Sequence, residues 1–239
     1  MQKFSSLVLA LSAFSFSQVV LAIPSLQLDI DGGFYDAADE STLTNSSSFI
    51  LRAFGNPGSP KFDLSSTFYL SAAVIQNHDS VADGTNFGSF SIDGDSYAFG
   101  DSDVYYGVPP VDSDVDPDLN TAVADLSKHS IYPTIFSEVS FMFSASDTIG
   151  AYNVQDDSTG AGIMYQMAFD IDASTLLAGY DLHFDLYTYD QNDKKIKIDY
   201  FAPFSHDAAT SIAQVPEPAI LALFGLGFIG LGLVRRKQK

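Results

Sequence analysis

An all-β fold, an antiparallel β-sandwich of jelly-roll character, is what this chain of 239 residues predicts. Three observations carry the prediction. Apolar and polar residues alternate with period two in many short stretches. Turn-forming residues separate those stretches, and helical periodicity is weak throughout. Many short strands joined by polar turns are the pattern of a sandwich.

Along the chain, the first 22 residues stand apart. Lys3 gives a positive start, residues 7–16 are apolar except for Ser12 and Ser15, and Val20-Leu21-Ala22 offers the small residues a signal peptidase reads. This predicts a secretory signal peptide cut after Ala22, with signal peptidase and the secretion machinery as partners. The apolar run is short for a membrane span. Residues 23–207 then read as one domain. Leu26-Gln27-Leu28-Asp29-Ile30 alternates cleanly, as do residues 180–187 and 195–200. Further strands are predicted at 49–54, 67–75, 87–92, 137–143, 149–154 and 163–171. Gly32-Gly33, Asn56-Pro57-Gly58, Asp93-Gly94-Asp95 and Gln191-Asn192-Asp193 supply turns between them. Residues 117–128 could hold one short helix. Small and polar residues at 208–214 read as a linker.

Composition excludes several functions. The chain carries 11 Lys and Arg against 30 Asp and Glu; with Lys3, Arg235, Arg236, Lys237 and Lys239 set aside, residues 23–218 keep 6 positive charges against 30 negative, a net charge of −24. Such a surface does not bind nucleic acid without regard to sequence, and it suits divalent cations or basic partners. There is no cysteine, so thiol nucleophiles, thiolate metal sites and disulfides are all absent. About 200 residues bury enough core to manage without disulfides.

Acidic loops are the first candidate for chemistry. Asp93, Asp95, Asp101, Asp103, Asp112, Asp114 and Asp116 fall within 24 residues of one another, and calcium is the ion that alternating aspartates would take. The EF-hand spacing is not met, since Pro117 follows Asp116 and no glutamate closes the loop. A solvated acidic loop is the plainer reading. Asp29 and Asp31 are a second candidate, against the simpler reading of a strand ending in a Gly turn. The four histidines share no metal-binding spacing, and His183 is placed among the exposed residues of an alternating strand. Ser205-His206-Asp207 invites a hydrolase reading, but triads assemble from residues distant in sequence. The domain is therefore expected not to be an enzyme. Tyr105, Tyr106, Tyr187 and Tyr189 flank polar residues and could form a sugar-stacking platform; core packing is the commoner fate of strand aromatics.

The C-terminus holds the most specific pattern. Residues 219–234 carry no charge, and Arg235, Arg236 and Lys237 follow. This predicts a short transmembrane segment with the basic end cytoplasmic and the domain outside. Gly225, Gly227 and Gly230 spell G-x-G-x-x-G, but the chain ends nine residues later with no acidic residue, so no dinucleotide fold can form. Val215, Pro216, Glu217 and Pro218, the glycine-rich apolar stretch and the basic tail together resemble a PEP-CTERM sorting signal over residues 215–239. That resemblance implies a Gram-negative-type bacterium that makes exopolysaccharide. It implies an exosortase that cuts near Pro216-Glu217-Pro218, and an inner-membrane precursor passed to the cell surface or extracellular matrix. The blocks "LQLDIDGGFYD", "YGVPPV", "LSKHSIYPTIFSEVSF", "YNVQDD", "GYDLHFDLY" and "FAPFSHDA" together resemble the choice-of-anchor N family, which implies an exported β domain with no established activity. The expectation is a structural or adhesive module at the surface, with an exopolysaccharide-binding module as the alternative and a secreted hydrolase behind both.

Overall fold

The computed structural model describes residues 23–60, 62–112, 131–192 and 195–212. The signal peptide with Ala22, the 117–128 segment, Asp114, Asp116 and the sorting signal from Val215 to the basic tail lie outside these residues. No helix among the described residues is long and apolar enough to cross a membrane.

In chain order the strands are β1 (Leu26–Ile30), β2 (Phe34–Asp36), β3 (Ser41–Thr44), β4 (Ser48–Gly55), β5 (Phe68–Gln76), β6 (Asp79–Ser80), β7 (Ser89–Ile92) and β8 (Asp95–Ala98). They continue with β9 (Tyr105–Val108), β10 (Val111–Asp112), β11 (Thr134–Phe141), β12 (Thr148–Tyr152), β13 (Thr159–Asp172), β14 (Asp181–Asn192), β15 (Lys195–Phe201) and β16 (Asp207–Thr210). A 3-10 turn, Phe204–His206, leads into β16. The fold is all-β, as predicted.

Two sheets result. The smaller runs β1-β4-β13-β7-β8, with β12 paired to β13. The larger runs β10-β9-β11-β5-β14-β16-β3-β2, with β15 on β14 and β6 on β5. They face each other across one apolar core. Leu26, Leu28, Leu51, Phe169 and Ile171 come from the small sheet, and Leu70, Val74, Leu182, Phe184 and Leu186 from the large one. Aromatic edges cross the gap: Phe49 meets Phe184 at 6.1 Å and Phe141 meets Phe169 at 5.1 Å between ring centres. Edge-to-face contacts of this kind align the positive ring edge with a neighbouring ring face.

Local chemistry explains individual elements. The β7–β8 hairpin pairs Ile92 with Asp95, so its loop is Asp93-Gly94. Both have positive φ, 53° and 87°, which is the type I′ turn that an Asp-Gly pair favours. Alternation in β1 sends Leu26, Leu28 and Ile30 into the core. Gln27, on the other face, is also buried; its amide donates to the Tyr152 carbonyl and accepts from the Val154 backbone N–H. Asp29 accepts a 2.6 Å bond from the Tyr152 hydroxyl, and Asp31 pairs with Arg52 at 2.6 Å. The simpler reading of this segment, a strand running into a Gly turn, therefore describes it.

Three features depart from the sequence expectation. The large sheet is mixed, because β16 pairs β3 in parallel. The segment expected to be a linker from residue 208 begins inside that sheet. Ala208, Ala209 and Thr210 belong to β16, and the Ser211 and Ile212 backbone N–H groups donate to Thr44 and Asp181. Small residues of low strand propensity are used here because β16 is enclosed by β14 and β3, and tertiary fit overrides propensity. Finally, β14 is buried on both faces from Leu182 to Thr188, although its sequence alternates as a half-buried strand would.

Candidate functional site

Part of the outer face of the large sheet is covered. Ala73, Ile75, Val108, Ile131, Tyr132, Phe136 and Tyr187 form a second apolar cluster on it. Within this cover lies a row of polar side chains from β14. Odd-numbered residues of that strand share the outer face; His183 stands opposite Ala73, Asp185 opposite Ser71 and Tyr187 opposite Tyr69. On its other side β14 pairs β16, with His183 opposite Ala209 and Phe184 opposite Ala208. That register carries Asp207 to the same face.

His183, Asp185 and Asp207 are 4%, 2% and 1% exposed, and one donor atom from each lies within 4.8 Å of the others. His183 Nε2 is 3.4 Å from Asp185 Oδ1 and 3.8 Å from Asp207 Oδ2. The second oxygen of Asp185 is held from outside the group. Tyr132 donates its hydroxyl to Oδ2, and the Ser71 hydroxyl donates to the same oxygen at 3.4 Å. His183 is thus a buried member of an ionisable cluster, not the exposed residue its alternating strand suggested. Burial, then the charge of Asp185, raises the Asp207 carboxyl far above the usual carboxylate range, with His183 opposing the rise. Burial, followed by Asp185, also keeps the Tyr132 phenol protonated well beyond the ordinary tyrosine range.

A pocket of about 270 Å³ opens beside this cluster. Buried Ser41, Ile131, His183 and Ala209 line it, and exposed Glu40 and His78 stand at its mouth. Glu40 and His78 both have positive φ, 52° and 65°. The cluster therefore sits deep in the sheet with one of its members facing a solvent-connected cavity.

Further along the same face, Glu138 of β11 accepts from the Tyr187 hydroxyl. Burial lifts the Glu138 carboxyl to about 7, against the lowering effect of hydrogen bonds from Tyr187 and Tyr189. The Tyr69 and Tyr189 rings stack at 4.3 Å beside it. Of the tyrosines considered for sugar stacking, Tyr187 is fully buried, and Tyr105, Tyr106 and Tyr189 are half-buried. Tyr105 packs against Phe136 on the outer face at 5.6 Å, whereas Tyr106 packs on the core side. These rings are not one platform.

The acidic loops have another arrangement. Asp93 accepts from the Asp170 backbone N–H and Asp101 from that of Ala98, both at 2.8 Å. Asp95 and Asp103 are exposed, and Asp112 is in β10. Among the described residues, Asp93, Asp95, Asp101 and Asp103 form no group that converges on one ion.

His206 and Asp207 diverge. His206 Nε2 lies 2.8 Å from Asn153 Oδ1, and Nδ1 lies 2.8 Å from the Ser205 hydroxyl. Asn153 Oδ1 can only accept, so Nε2 carries the proton and Ser205 donates to Nδ1. Burial holds this imidazole near 4, which makes it a weak base at neutral pH. Asp207 turns instead toward His183. The sequence gives one usable sign of the buried cluster, the spacing His183-x-Asp185 on a strand; Asp207 and Tyr132 join it only through strand pairing.

Residues 214–237 match the family model of the PEP-CTERM protein-sorting motif. The tail is a sorting signal. It marks an exported protein with a membrane-anchored precursor and an exosortase as its processing partner. The matched residues begin four positions after β16 ends. Neither a curated protein nor a solved structure matches the chain.

Proposed function

We propose that this exosortase-sorted protein serves at the cell surface or in the extracellular matrix, and that its sandwich is a structural or adhesive module of the choice-of-anchor N kind, not a catalyst. The observation that carries this reading is where the sorting motif joins the fold. β16 lies inside the ten-stranded sheet, bonded to β14 on one side and to β3 on the other. Tension on the tail enters the sheet directly. Because β16 runs parallel to β3, four paired residues from Asp207 to Thr210 resist that tension together. A module that holds against an attachment point is well served by this arrangement. The weakly basic His206 also speaks for a non-catalytic role.

Mass spectrometry of the protein recovered from intact cells tests the sorting half. The expected mature chain starts at Ile23 and ends near Pro216-Glu217-Pro218. Surface-exposed chains that still carry residues 219–239 would overturn it. For the adhesive half, purified protein should promote cell or matrix association without turning over any glycan or ester. Turnover abolished by a single carboxylate substitution would reverse that conclusion. Exopolysaccharide binding is the second reading, favoured by Tyr69, Tyr189 and Glu138 lying together on one face. Saturable binding to a purified polysaccharide, lost in Tyr189→Ala, would support it.

A further inference from the structure

We propose that His183, Asp185 and Asp207 bind one divalent transition-metal ion, zinc by donor chemistry, which ties β14 to the C-terminal strand β16. The inference goes beyond the surface role above and does not depend on it.

Geometry is the first argument. The two His183–carboxylate separations, 3.4 and 3.8 Å, are longer than the 2.7–2.9 Å (roughly) of a charge-assisted hydrogen bond. Neighbouring donors around a tetrahedral zinc, with bonds of about 2.0–2.2 Å, stand about 3.3–3.6 Å apart. One separation falls within that range and the other is close to it. One ligand atom from each of the three side chains lies within 4.8 Å of the others, close enough for one ion to be shared among them.

Charge is the second. An ion would be held by both carboxylates in their ionised form and by a neutral imidazole, any protons on them being released on binding. A divalent ion with two carboxylates and a neutral imidazole sums to zero. The donor set also selects the ion. One nitrogen and two carboxylate oxygens suit zinc and its neighbours, whereas calcium asks for six to eight oxygens. With no cysteine in the chain, thiolate competition is absent.

Support and access are the third. Tyr132 and Ser71 both donate to Asp185 Oδ2. This leaves Oδ1 turned to His183, as the outer hydrogen bonds of metal-ligating carboxylates usually arrange. The pocket lined by His183 supplies an entry path and room for a water to complete the shell.

The test uses the full chain purified in detergent, stripped with a chelator and titrated with zinc chloride. The expected result is one zinc per chain. At a hundredfold excess over the dissociation constant, the melting temperature should rise by roughly 5 °C or more. X-ray absorption should show one imidazole nitrogen with oxygen donors. His183→Gln and Asp207→Asn should each weaken binding about 100-fold or more, while His78→Gln, at the pocket mouth, keeps the ion. No zinc bound to the folded chain, an all-oxygen shell, or unchanged affinity in both ligand variants would overturn the proposal. If the variants fail to fold, the absorption spectrum of the unaltered chain decides, since it reports the nitrogen donor directly.

Discussion

Tyr132 and Glu138 show how single residues on one sheet face set stability. Tyr132 closes over β14 and donates to Asp185. Tyr132→Phe keeps the ring in the apolar cluster and removes only the donor. The expected loss is about 1–3 kcal/mol in urea unfolding; no loss would mean that Ser71 alone satisfies the carboxylate. Glu138 gives a pH signature. Its folded pKa of about 7 lies above the ordinary 4.5, so the folded chain binds the proton more tightly than the unfolded chain does. Stability contributed by the protonated form is fully present below about 4.5 and is lost as pH rises through about 7. Glu138→Gln should flatten that part of the stability–pH curve. An unchanged slope between pH 4.5 and 7 in this variant would remove Glu138 as its source.

Hairpins and docked loops set stability at the level of elements. β7 is fastened at its start by Gly88, whose φ is 87° and which bridges to Leu176. A Cβ at this position would lie 2.5 Å from the Thr175 carbonyl oxygen. Gly88→Ala therefore combines a left-handed backbone with a backbone clash and should cost at least about 2 kcal/mol, measured by thermal or chemical unfolding. Gly94→Ala in the β7–β8 turn has nothing within 4 Å of the added atom. Only the left-handed strain of about 1–2 kcal/mol applies there. Equal losses in the two variants would show that contact with residues 175–177 contributes nothing. The sequence marks Gly94 as a turn glycine between two aspartates, but shows nothing of the Thr175 carbonyl that crowds Gly88.

At the scale of the molecule, the C-terminal strand links folding to sorting. A chain ending at Ile212 should unfold in one cooperative transition. One ending at His206 loses β16, which exposes the inner edges of β14 and β3 to pairing with other chains. Circular dichroism and light scattering should show a lower transition and aggregation for the shorter chain; equal stability would show that β16 is dispensable. The same placement bounds the precursor's geometry. Ile212 is bonded to Asp181, and seven residue steps lead to Ala219, where the uncharged stretch begins. Fully extended, they span at most about 25 Å. Before processing, the folded domain is therefore held close to the start of that apolar stretch, and the exosortase must act in the interval between them.

Clean period-two alternation was enough to find β1, β14 and β15, because side chains on a strand alternate between faces whatever packs against them. The tail was legible for a different reason: a sorting signal is recognised as a local run of residues and needs no fold to be read. Alternation cannot say whether the polar face of a strand meets water. In β14 that face lies under Ile131 and Tyr132, so His183 and Asp185 are buried where the pattern suggests exposure. Nor can it say which strands become neighbours. Asp207 sits 22 positions after Asp185 in what looks like the approach to a linker, and only the β14–β16 pairing brings it beside His183. The sequence by itself determined the β class, the acidic surface and the address, all of which depend on local pattern or composition. Tertiary structure decided the mixed sheet, the enclosed C-terminal strand and the buried His183–Asp185–Asp207 cluster, because each arises from contacts between segments far apart in the chain.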